Sequence, residues 1–176
     1  MRQTARTLLT ILAAATLAAL AVAGTGAAAN RQTCAIEQTG PAQFANTTFD
    51  DEAGTLSWMV RWPAMLDCPD GSPRDGQAVE MRQAAMVQLP PLGTDGPARG
   101  RTRTIVDFID EDDLTFAGRL GGDVTYAGGV GTLMLRGRLN GPNGSKLRLM
   151  EELELDGGTG EVVSFVSSNG LITFAL

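Results

Sequence analysis

Glu151 is the residue of this chain whose type and position conflict most. It falls on the same period-two row as Leu147, Leu149, Leu153 and Leu155. A carboxylate that shares a buried face with four leucines is costly unless it is paired, hydrated or protonated. Two readings stay open. As a cavity acid, Glu151 has a raised pKa and works as an acid or base, or fixes the polar group of a ligand. With a strand bulge near Met150, it returns to solvent and does neither. Arg103, Arg119, Arg136 and Arg138 are its candidate partners, although arginines at such alternating positions belong by pattern to solvated faces.

Three aromatic residues join Glu151 as candidate ligand contacts. Tyr126 can cap a barrel interior or donate a hydrogen bond to a ligand, and it can equally pack across the glycines around it to fill missing volume. Trp58 and Trp62 share a strand face and would line a cavity or simply form core. No catalytic residue is assigned. The chain has no histidine, which excludes Ser-His-Asp and Cys-His catalysis and His-ligated zinc. Acid–base work would fall to carboxylates, Tyr, Arg, Ser/Thr or the single lysine, Lys146. Neither a metal nor a cofactor is expected. The acidic run Asp107, Asp110, Glu111, Asp112 and Asp113 lacks the alternating aspartates and distal glutamate of a calcium loop, so a solvated hairpin turn is its plainer reading.

The N-terminus places Arg2 and Arg6 before an uncharged apolar stretch, Leu8 to Val22, and then small residues ending at Ala27-Ala28-Ala29. That order is a secretory signal peptide, with cleavage expected after Ala29. The apolar run is shorter than the roughly 20 residues of a membrane-spanning helix, so no membrane span is expected once the signal is removed. The domain then covers residues 30–176, with 12 basic and 20 acidic residues and a net charge of −8. Such a charge argues against nucleic-acid binding, which needs a cationic face. An exported chain, secreted or periplasmic, meets an oxidising compartment, and Cys34 and Cys68 are expected to form a disulfide. In the chain-entropy model that loop is worth about 4 kcal/mol.

Strands must position these residues. From Arg101 onward apolar and polar residues alternate: Thr102, Thr104, Val106 and Phe108 share one face, as do Leu133, Leu135, Gly137 and Leu139. Turn residues punctuate the rows at Asp110 to Asp113, Gly121-Gly122, Gly128-Gly129, Gly141 to Gly144, Asp156 to Gly160 and Asn169-Gly170. The last two strands are expected over 161–168 and 170–175. Upstream, Leu56, Trp58, Val60 and Trp62 form a strand expected to end at Pro63, and a second strand is expected from Ala42 to Phe49. Asp75 to Leu89 alternates like a strand but contains helix formers, and strand is slightly favoured. Long loops are expected over 67–75 and 90–100. The fold expected is all-β, an antiparallel meander closing into a barrel of about eight strands.

Within this pattern, Gly121-Gly122-Asp123-Val124-Thr125-Tyr126-Ala127-Gly128-Gly129-Val130-Gly131 resembles a motif of the allene oxide cyclase-like and dirigent-like barrels. There, Gly-Gly-Thr-Gly precedes an aromatic residue and then Gly-Ala-x-Gly before a long strand. Gly121, Gly122, Tyr126, Gly128 and Gly131 match, while Asp123 and Val124 stand in place of Thr-Gly and Gly129 in place of Ala. The resemblance implies an eight-stranded barrel that accommodates a small apolar molecule. The sequence reads as a binding module for a small hydrophobic molecule or a protein partner. Its alternatives are a cofactor-free cyclase or isomerase acting through Glu151 or Tyr126, and a small outer-membrane barrel. The last is disfavoured by one Tyr, two Trp and charges opposite the apolar rows, since lipid-facing barrels carry aromatic girdles.

Overall fold

A period-two chain with short turns can bury its apolar rows only by rolling its sheet onto itself, and it does so here. The computed structural model describes residues 31–109 and 111–175; the expected signal peptide, residues 1–29, lies outside them. The strands are β1 (Arg31–Gln38), β2 (Gln43–Asp50), β3 (Thr55–Asp67), β4 (Ala78–Gln88), β5 (Gly96–Phe108), β6 (Leu114–Ala127), β7 (Val130–Asn140), β8 (Lys146–Asp156) and β9 (Val162–Ala175). Each strand from β2 to β9 pairs antiparallel with the next. β1 pairs with both β9 and β3, which closes the sheet.

β1 and β2 run in one direction along successive parts of β3, with Gln38 opposite Ala64 and Gln43 opposite Arg61. They are two halves of one stave, so the closed barrel has eight staves. The break between them, residues 39–42, faces Pro63. The sequence pattern ends β3 at this proline, yet the strand continues to Asp67. A proline cannot donate to a ladder, and Pro63 sits where β3 changes partner, its carbonyl accepting from the Thr39 N–H at 3.0 Å. The missing donor therefore costs no ladder bond.

Two expected turns are also corrected. Gly121-Gly122 lies inside β6 and Asn169-Gly170 inside β9, so the two expected C-terminal strands are one. The true turn glycines, among them Gly54, Gly128, Gly144 and Gly160, have positive φ, whereas these four strand residues do not. Gly170 is needed for close approach instead: a Cβ there would lie 2.5 Å from the Arg148 carbonyl oxygen. The loop expected over 90–100 is shorter, because β5 begins at Gly96. Asp75 to Leu89 resolves as strand β4, flanked by the loop 68–77. β1 has no counterpart among the strands expected from the sequence.

The inward rows form the core. Trp58, Trp62, Met81, Phe116, Leu133 and Leu153 are fully buried within it. Cys34 and Cys68 are joined by a disulfide with a Cα–Cα distance of 4.2 Å. They occupy the cross-strand position next to Ala35 and Asp67, so the bond ties the first strand to β3 at the seam of the barrel. The disulfide fits an oxidising compartment.

Candidate functional sites inside and outside the barrel

Glu151 faces the interior and is 1% exposed. β8 keeps strict alternation, with Leu147, Leu149, Leu153 and Leu155 buried on the same side. Bulges do occur nearby, but they lie on the partner strand β9, opposite the steps Glu152/Leu153 and Glu154/Leu155. β9 absorbs the irregularity, and Glu151 is not turned out to solvent.

The carboxylate reaches across the lumen. Gln83 of β4 donates through Nε2 to Glu151 Oε1 at 2.7 Å, and its Oε1 accepts from Trp58 Nε1 at 2.9 Å. β4 and β8 are four staves apart in a ring of eight, so this bridge spans the barrel from wall to wall. Burial pushes the Glu151 carboxyl up to about 7, against the lowering effect of the Gln83 hydrogen bond. Arg103, Arg119, Arg136 and Arg138, its candidate partners by sequence, are all exposed on the outer face and make no ion pair with it. Glu151 Oε2, Trp62 Nε1 and Thr104 Oγ1 are buried without a protein partner.

The aromatic candidates separate. Trp58 joins the bridge, whereas Trp62 packs on Phe165 with ring centroids 5.0 Å apart. Tyr126 lies over Gly131, where a Cβ would come within 2.7 Å of its ring. That is the volume-filling role, and Tyr126 is not brought to Glu151 by any contact. The acidic run also has a structural use: Glu111 pairs with Arg74, while Asp107 and Asp113 flank Arg82 at 2.8 and 2.6 Å. Arg74 in turn lies over the rings of Phe108 and Phe174, 4.8 and 4.4 Å from their centroids. Asp110 lies outside the described residues.

The site that sequence reasoning missed is on the outside. Three neighbouring cross-strand rows run from β5 to β9. The middle row faces inward and alternates glycine with leucine: Gly100, Leu120, Gly137, Leu149, Gly170. On one side of it, facing out, Arg101, Arg119, Arg138 and Arg148 stand directly opposite one another on four consecutive strands, ending at Leu171. On the other side the outward row is Arg99, Gly121, Arg136, Met150 and Asn169. Over the back of the glycine row lies a groove of about 1250 Å³, walled by Arg99 and Arg136 on one side and by Arg119, Arg138 and Arg148 on the other.

With Arg103, seven of the domain's 12 basic residues belong to this face. None of the seven forms an ion pair among the described residues. Like charges placed directly opposite on a sheet destabilise it, each pair by several tenths of a kcal/mol. The signal was in the sequence as arginines at outward positions of four strands, but only the register places them side by side. No protein-family model, curated protein or solved structure matches the chain.

Proposed function

We propose that the protein is an exported binding module, secreted or periplasmic, that engages its partner through the outer face of a closed barrel. One observation carries this reading: the arginine rows flank a concave groove and form no ion pair among the described residues. A fold does not retain uncompensated like charges for stability, whereas a binding surface has use for them. The Gln83–Glu151 bridge and the aromatic core suit the interior to the role of a rigid scaffold. An enzyme of the cyclase or isomerase type would need its acid open to substrate, and Glu151 is sealed. A lipid-facing barrel would place these mid-strand arginines in hydrocarbon, at about 2–4 kcal/mol each near the midplane.

A second reading keeps the interior and accords with the resemblance to allene oxide cyclase-like and dirigent-like barrels. Glu151 Oε2, Trp62 Nε1 and Thr104 Oγ1 would satisfy their polar atoms on a small apolar molecule bearing one hydrogen-bonding group. Such a ligand must part the Gln83–Glu151 bridge to enter.

Ion-exchange chromatography tests the first reading. A domain of net charge −8 should flow through a sulfonated cation-exchange resin at pH 7. With the groove acting as a local anion site, it is instead retained at low salt, and Arg119→Ser/Arg138→Ser is not. Flow-through of the unmodified protein would contradict the proposal.

A further inference from the structure

Resting on the outer-face reading, we infer that the groove is a binding site for a linear anionic polysaccharide bearing carboxylate or sulfate groups along its chain. The guanidinium fork matches such groups bidentately. Arginines line both walls, and the groove crosses the strands from β5 to β9, four inter-strand steps or about 19 Å. A chain laid along it meets a cation at nearly every strand. Between the charges stand the Asn140 and Asn169 side-chain amides, suited to hydroxyls, and the exposed apolar side chains of Met150 and Leu171, suited to the C–H faces of a sugar.

The same features disfavour other polyanions. No aromatic side chain lines the groove, so nucleic-acid bases have nothing to stack on. Elsewhere the domain is acidic, which repels a long phosphate backbone running past the groove. A flat bilayer surface would touch the arginine tips but leave the recess between them unfilled. An acidic peptide would want a free strand edge to pair with, and the strands under the groove, β5 to β9, are paired on both sides.

Titration calorimetry with the purified protein tests this, using heparin-derived oligosaccharides as sulfated probes and oligogalacturonates as carboxylate probes. Comparison ligands are single-stranded DNA of matched charge and vesicles containing phosphatidylglycerol. The expected result is binding that strengthens with oligosaccharide length until the groove is spanned and weakens as salt rises. Affinity should fall at least about tenfold in Arg119→Ser/Arg138→Ser, the loss of two charge-assisted contacts. The charge-matched control Arg61→Ser/Arg82→Ser should bind as the unmodified protein does. Because the groove substitutions relieve repulsion, that variant should melt no lower than the unmodified protein, which separates lost binding from lost fold. DNA or vesicles binding as tightly as the oligosaccharides, with the same arginine dependence, would overturn the polysaccharide while leaving the outer-face reading intact. Absence of binding to every polyanion would overturn both.

Discussion

Replacing Cys34 and Cys68 together by alanine is expected to cost the domain about 4 kcal/mol, the chain-entropy worth of a loop closed over 34 residues. The location makes the loss structural as well as entropic. The bond lies at the seam, where β1 has only Ala35 to Gln38 paired with β3 before the stave breaks at residues 39–42. Without the crosslink, β1 is held on the β3 side by that short ladder alone, and its pairing with β9 must carry the rest. Urea melts of the oxidised protein and the double variant would show the difference as a lower midpoint, and hydrogen exchange should show it concentrated in β1 and at Leu66 of β3. Equal midpoints would mean that the β1–β9 and β1–β3 ladders, with buried Ile36, close the barrel unaided.

A second large effect is expected from Glu151→Gln, and it depends on pH. The folded carboxyl titrates near 7 against an ordinary value of 4.5. Below pH 4.5 it is protonated in both states and costs nothing. As pH rises from 4.5 to 7 the unfolded chain loses its proton while the folded chain keeps it, so stability falls. Above pH 7 the full cost of a buried carboxylate is present, on the order of 3 kcal/mol for a shift of this size. Glutamine keeps the acceptor that Gln83 Nε2 needs and cannot ionise. Glu151→Gln should therefore match the unmodified protein near pH 4 and exceed it by about 3 kcal/mol at pH 8. Parallel stability curves across that range would show that Glu151 is paired or hydrated in a way that holds its pKa near normal. Glu151→Leu should not give the same gain, because it leaves the buried Gln83 amide without its acceptor, a loss of about 1–3 kcal/mol.

Much of this was legible in the residues. The leucine rows fixed the inward faces of β7 and β8, and the same rows marked Glu151 as misplaced before any contact was known. Strands were lost where glycine and proline serve a second purpose. Gly121-Gly122 and Asn169-Gly170 read as turns because a sequence shows that a Cβ is absent but not why. Here the reason is close approach of the neighbouring strand: a Cβ on Gly122 would run into the Met134 carbonyl, and one on Gly170 into that of Arg148. Pro63 read as a terminator because its missing N–H is harmless only opposite a break that lies some 20 residues earlier in the chain. The arginine face was hidden for a related reason. Arg101, Arg119, Arg138 and Arg148 look like ordinary solvated residues on four separate strands, and an assumed turn at Gly121-Gly122 destroys the register that aligns them. A negative net charge, moreover, carries no information on how the basic residues are distributed over the surface.

Whether the partner binds over the glycine row on the outside of the barrel, and not within it, is tested most directly by amide chemical-shift mapping. The ¹⁵N-labelled protein is titrated with a heparin oligosaccharide. The largest shifts are expected along one band across the strands, at Gly118 to Gly121, Arg136 to Arg138, Arg148 to Met150 and Asn169 to Leu171, with the Trp58 and Trp62 indole signals unmoved. Shifts centred on those indoles and on Glu151, with the band silent, would place binding inside the barrel and contradict an outer-face site.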